Sequence, residues 1–328
     1  MNSVYQTPYN NRDMLHVVFG ATGAYGCAIA RKLAGKNLTV RAVVRDERKA
    51  MELLPRNVEI VKSEVLNPEE TLKNSRDAGI IYIANNFPYH DWIKKYPRLV
   101  KNILRGARMA HSVVVFPGNV YGYGEFQYLP VDESHPLDAR SRKGQIRNII
   151  EALLMEYHNK GDIRALIPRF ADFYGPNVTN DLYGAMFRNS IEGKDVIWPL
   201  NVDITHNFTY IDDAAEGTLI LLNNPKSYGK TYHITGPPTT ARWFINEIFQ
   251  VSNSTSRIKV ISKNLLRFMG LFNLNARGLM ELLYEYDKPY HISDKKFIEE
   301  YPEFNHTPYE SGIRATVDWF RMQPTHGQ

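Results

Sequence analysis

Gly20, Gly23 and Gly26 form a G-x-x-G-x-x-G run between two stretches of different periodicity. "MLHVVFG" (14–20) is a short apolar, β-branched run that ends at a glycine. "AYGCAIARKLAGK" (24–36) has helical spacing and closes near Gly35. A strand, a glycine turn and a helix constrain the chain strongly. The missing side chains permit the tight turn, let backbone approach a pyrophosphate, and bring helix close to strand. Amides at the helix N-terminus then meet the phosphate charge. The plain alternative is a glycine turn that holds no ligand.

The unit repeats. "LTVRAVVRD" (38–46), "VEIVKSEV" (58–65), "AGIIYIANN" (78–86) and "HSVVVFPG" (111–118) read as further strands, with polar helical segments between and a basic helix over 93–109. "DIRALIPRF" (162–170) reads as the sixth. Such alternation predicts an α/β fold, a doubly wound parallel sheet of Rossmann type with ligands beyond the carboxyl ends of its strands. A chain of 328 residues, 43% hydrophobic and 23% charged, can bury a large core in one or two domains.

Charge and composition exclude other classes. A net charge of +5, from 40 Lys and Arg against 35 Asp and Glu, comes without a basic run long enough for a nucleic-acid stripe. It biases the chain mildly toward anionic small molecules. One cysteine, Cys27, rules out an internal disulfide and suits a reducing compartment. The ten His residues lack zinc-ligand spacing, so no metal is expected. The polar start "MNSVYQTPYNNRD" has no apolar signal core, and about 20 apolar residues never run together as a membrane span requires. The expectation is a cytoplasmic protein that partners neither nucleic acid nor membrane.

The end of the second strand selects the dinucleotide. An Arg there pairs with a 2′-phosphate through its planar fork, whereas a carboxylate accepts the ribose 2′-hydroxyl. Arg45 stands 19 residues after Gly26 with Asp46 next. NADP(H) is therefore the preferred cofactor, with NAD(H) kept open through Asp46.

"VVFGATGAYG", "VVVFPGNVYGYG", "RALIPRFADFYGPN", "FTYIDDAAEGTLILL" and "GKTYHITGP" occur in that order from about residue 14 to about residue 236. As a set they resemble an extended short-chain dehydrogenase/reductase, the group that holds NAD(P)-dependent epimerases and dehydratases. The resemblance implies a cofactor part over 14–168, completed by about 205–236. Residues 169–204 and 237–328 then make a smaller interleaved substrate-binding part. It also implies a Ser after the fifth strand, a Tyr acting as general acid or base, and a Lys four residues on that assists the Tyr and holds the nicotinamide ribose.

None of the three is present. Alignment puts Pro117, Lys143 and Arg147 at those places, so the chain is similar to atypical members that lack the triad. "KGQIRNIIE" (143–151) sets Lys143, Arg147 and Glu151 four apart on one helix face, either a solvated salt ladder or a wall of the site. In the second case Lys143 is a general acid or a clamp on a developing oxyanion, and Arg147 donates to the ribose. Tyr121 is the other candidate acid.

The resemblance places Gly20, Thr22, Gly23, Ala24, Tyr25, Gly26 and Arg45 along the dinucleotide. Glu64 stands where the family has an Asp at the adenine; Val65, Ala84, Asn85 and Pro168 complete that wall. Asn86, Asn119, Tyr123, Asp172 and Tyr174 are the residues expected to edge the substrate, with packing or turn roles as the bland alternative. Asp212 and Asp213 open an apolar helix and read as caps. His206 stands near the place of an Arg that helps hold a diphosphate in sugar-nucleotide members. The stretch 264–292 is rich in Leu, Met and aromatics at helical spacing. It reads as a packed helix pair, with a pocket lid or an oligomer contact, such as a homodimer, as the sharper idea.

Three functions follow. The first is an NADP(H)-dependent oxidoreductase acting on a small carbonyl or hydroxyl compound. The second is an epimerase or dehydratase of a sugar derivative, and the third a non-catalytic NADP(H) sensor.

Overall fold

The computed structural model describes residues 13–272 and 274–323, so the reading of the first twelve residues lies outside it, as does position 273 in the 264–292 stretch. Apolar runs become strands and periodic runs become helices where the sequence places them. The chain passes through β1 (His16–Phe19), α1 (Ala24–Gly35), β2 (Val40–Val44), α2 (Glu47–Leu53), β3 (Glu59–Lys62) and α3 (Pro68–Ser75). It continues with β4 (Ile80–Ile83), α4 (Trp92–Met109), β5 (Val113–Val115), β6 (Gly118–Asn119), α5 (Arg142–Asn159) and β7 (Arg164–Phe170). The main sheet runs Thr231–Ile234, β7, β5, β4, β1, β2, β3, and β6 pairs with β7. β1 pairs in parallel with both β2 and β4. The strand order therefore reverses at the β1/β4 boundary, the switch point where open α/β sheets place ligands.

Two compact units emerge. The first holds the described residues up to Gly122 with Arg142–Arg169 and Ala214–Tyr232. The second holds Tyr123–Ser141, Phe170–Asp213 and the described residues from His233. Inside the first, Val17, Phe19, Ile81 and Val114 of the strands pack with Leu99 and Ile103 of α4 and Ile146 and Ile150 of α5. Burying each such side chain contributes about 1.5–3 kcal/mol, which fixes α4 and α5 against the sheet.

Inside the second, short paired strands and an aromatic core dominate. Phe208 lies 4.1 Å from Phe244, ring centre to ring centre, and Tyr174 packs among Tyr210, Phe244 and Tyr309. Asp213 accepts bonds from the Thr307 amide at 2.8 Å and the Thr307 hydroxyl at 2.6 Å. The expected helix-capping aspartate thus tethers a distant segment of its own unit. The 264–292 stretch is broken into Lys263–Met269, Leu274–Leu279 and Tyr284–Asp287 rather than a long helix pair.

Candidate active site

The glycine loop divides its work among its members. Gly20 has φ +83°, and a Cβ there would lie 2.7 Å from the Asn85 amide nitrogen. A Cβ on Gly26 would lie 2.5 Å from the Gly20 carbonyl oxygen. Only glycine fits either place. Gly23 differs: a Cβ would meet nothing nearer than 3.4 Å, so protein packing does not explain that residue. Gly23 also precedes α1 as an uncapped N-terminus with no acidic residue in the first turn. No side chain caps this end of α1, as suits an anion there.

The other cofactor candidates surround this loop. Thr22 and Ala24 are half-buried, and Tyr25 is buried with its hydroxyl 2.8 Å from Thr218 Oγ1. Burial keeps the Tyr25 phenol well above the usual range, so it stays protonated. Ala84 and Asn85 leave β4 beside Gly20, and the buried Asn85 Oδ1 has no hydrogen-bond partner among the described residues. Arg45 is exposed just past β2. Asp46 caps α2 by accepting from the Lys49 amide at 3.0 Å. Glu64 is exposed and accepts from the Leu66 amide at 3.1 Å, a local turn bond, while Val65 and Pro168 are buried.

The α5 stripe is buried. Lys143, Arg147 and Glu151 are 4%, 8% and 5% exposed, which removes the solvated salt ladder. Glu151 accepts from Arg169 Nη2 of β7 at 2.5 Å, both side chains being buried. The Arg147 guanidinium sits 4.9 Å from the Trp92 ring, 5.2 Å from Tyr96 and 4.9 Å from Phe116. It donates to the Pro117 carbonyl at 3.0 Å, and its buried Nε lacks a partner among the described residues. Lys143 Nζ lies 4.7 Å from the centre of the Tyr89 ring. Cation–π attraction of this kind contributes about 2 kcal/mol once water is excluded.

Tyr121 joins them. Its hydroxyl is 3.3 Å from the Tyr89 hydroxyl, and its ring stacks on Trp92 at 6.3 Å. Asn119 ends β6, its Oδ1 accepting from the Tyr121 amide at 3.2 Å. Tyr96 donates to the Asn85 carbonyl at 2.7 Å and approaches exposed Asn86 Oδ1 at 3.4 Å. Burial raises the Tyr96 pKa against the opposing charge of Arg147, so it remains a donor. Tyr89, Trp92 and Tyr96 were missed in the sequence. The aromatic spacing of "FPYHDW" directly after "IANN" was the available signal.

The remaining candidates lie in the second unit. Tyr123 is buried with its hydroxyl 2.6 Å from His233 Nε2. Tyr174 is buried and its hydroxyl has no partner among the described residues. Asp172 Oδ2 is 2.9 Å from His206 Nε2, and His206 stacks on Tyr290 at 4.5 Å. His206 is therefore committed to its own unit's packing. A cleft of about 530 Å³ in this unit is lined by residues that include Phe126, Asp138, Arg140, Glu281 and Tyr284.

A glycine loop at a sheet's switch point, followed by this strand order, defines a dinucleotide-fold protein. The chain belongs to the NAD dependent epimerase/dehydratase family, whose model matches residues 16–235. It is 23% identical to a UDP-N-acetyl-alpha-D-glucosaminuronate decarboxylase of Bacillus cytotoxicus, over 93% of this chain and 97% of that protein. Its fold is similar to an epimerase of Methanothermobacter thermautotrophicus, with a TM-score of 0.81, 13% identity, and coverage of 96% of this chain and 94% of that one. It also resembles a UDP-glucuronic acid 4-epimerase from Bacillus cereus in complex with NAD, with a TM-score of 0.76, 18% identity, and coverage of 94% and 99%.

Proposed function

We propose that the chain binds a nicotinamide dinucleotide at the glycine loop and carries out a redox step on a hydroxyl- or carbonyl-bearing carbon of a sugar derivative. Family membership and the sugar-nucleotide enzymes it resembles support a sugar derivative over an unrelated small carbonyl compound. NADP(H) is the proposed form, because Arg45 is exposed past β2 while the carboxylate of Asp46 is engaged as a cap.

One observation carries the chemistry: the Lys143 ammonium faces the Tyr89 ring, and the Tyr89 hydroxyl meets that of Tyr121. Hydride chemistry of this family needs a phenol beside a cation. Here the cation occupies α5 and the phenols come from the segments after β4 and β6. A positive charge against a phenol favours its ionised form. Tyr121 then takes the hydroxyl proton as the carbon is oxidised, or returns it as the carbonyl is reduced. The bound dinucleotide supplies or accepts the hydride. Arg147 acts as a positioning residue, fixing the Pro117 carbonyl and the rings around it.

The test begins with identification of any copurified nucleotide and fluorescence titration with NADPH and NADH. UDP-sugars and free sugar acids are then screened for turnover. Lys143→Met is expected to lower turnover by about 100-fold with dinucleotide affinity retained; unchanged turnover removes the proposal. The commitment of Arg147 to protein contacts favours the non-catalytic sensor as the second reading. Dinucleotide-dependent turnover of any substrate excludes it.

A further inference from the structure

Leu265, Phe268, Leu271 and Phe272 are 46%, 61%, 75% and 80% exposed, four large apolar side chains within eight residues. They lie on and just after the helix Lys263–Met269, whose opposite side is anchored by buried Leu266. Ser262 caps this helix by accepting from the Leu265 amide at 3.3 Å, so its orientation is set by the chain itself. An isolated exposed Leu needs no explanation, but a cluster with two phenylalanines does.

Along the sequence the charges around the cluster are of one sign, while in space Lys263 also faces Glu125. Between Glu247 and Glu281 the sequence contains Arg257, Lys259, Lys263, Arg267 and Arg277 and no Asp or Glu. All five cations are exposed. Lys259 pairs with Asp195 at 2.6 Å, and the other four surround the apolar residues in sequence. A second copy of the chain is a poor occupant, because a two-fold contact sets the patch against itself and brings like charges together. An anionic surface that also accepts apolar side chains matches both features.

We infer that this segment docks the protein on an anionic phospholipid surface, with the phenylalanines and leucines entering the acyl boundary and the cations meeting the headgroups. The docking is peripheral: no helix among the described residues is long and apolar enough to cross a membrane. It amends the expectation of a protein with no membrane partner.

The full chain is sedimented with vesicles of phosphatidylcholine alone and of phosphatidylcholine with phosphatidylglycerol, at low and high salt. Binding is expected only to the anionic vesicles, weakening with salt. Lys263→Gln with Arg267→Gln should lower it by about 30-fold, a little over five-fold for each cation. Phe268→Ser with Phe272→Ser should lower it by about 100-fold through lost apolar burial. These are surface positions, so an unchanged thermal melt shows that the fold is intact. Absence of vesicle binding, or binding indifferent to lipid charge and to both variants, overturns the inference. So does a dimer, seen by light scattering, that the Phe268/Phe272 variant dissociates while the parent ignores vesicles.

Discussion

The glycine loop and the α5 stripe belong to the same unit and border the same sheet, yet they are built in opposite ways. In the loop the task falls to backbone, and each glycine answers to a specific crowding or opening: Gly20 and Gly26 to neighbours within 3 Å, Gly23 to space. Nothing else can substitute for an absent side chain. Along α5 the task we propose is the handling of a proton and a charge, which any side chain of suitable chemistry can supply from another direction. Lys143 and Arg147 stand there where the resemblance implies a Tyr and a Lys, and the stripe is buried. Work done by backbone stays in place, whereas work done by side chains can move.

The contrast can be broken most forcefully at Glu151. Glu151→Ala removes the carboxylate from buried Arg169 and should cost about 3–5 kcal/mol in urea unfolding; a cost under about 1 kcal/mol would return the stripe to the surface. Next comes the proposed acid: Tyr121→Phe should lower turnover by about 100-fold, and Tyr89→Phe by much less, if Tyr121 is the group that reaches substrate. Equal losses would assign the proton to the pair. On the loop, Gly26→Ala should destabilise by about 1–3 kcal/mol through its clash with Gly20. Gly23→Ala should leave the melt unchanged and weaken dinucleotide binding by about ten-fold, since only a ligand needs that space. An effect of the same size, confined to one of the two dinucleotides, is expected outside both regions, where Arg45→Ala should lower NADPH affinity by about ten-fold and leave NADH binding as it was.

How far the sequence carried follows the same division. The strands from β1 to β5, the helix after the glycines and the parallel order are all written in local periodicity, and each appears close to where its pattern ends. Spacing of Lys143, Arg147 and Glu151 put them on one face but could not say which way that face turned. The deciding atoms, the rings of Trp92 and Tyr96 at the start of α4, lie some fifty residues away and come alongside only when α4 packs on α5. Tyr89 was missed for that reason, although its aromatic segment is plain in the sequence. The 264–292 stretch misled through its spacing: Gly270 and Gly278 interrupt the pattern, and the short helices leave apolar residues outside. His206 shows a further limit, since its partner Asp172 lies 34 residues away in the sequence and meets it only through the fold.

The cage around Arg147 bears on any attempt to rebuild the family's ordinary chemistry. Its guanidinium is at once a rivet between β5, α4 and α5 and the clasp on the Pro117 carbonyl. A lysine written in at 147 would bring a compact point charge where a flat fork is sandwiched by rings, and a serine at 117 would loosen the backbone that the fork holds. Installing Ser, Tyr and Lys together would therefore dismantle a piece of the core before it assembled a catalyst. Arg147 and the Pro117 carbonyl are thus bolted into the architecture, and exchanging them means redesigning the wall on which they hang.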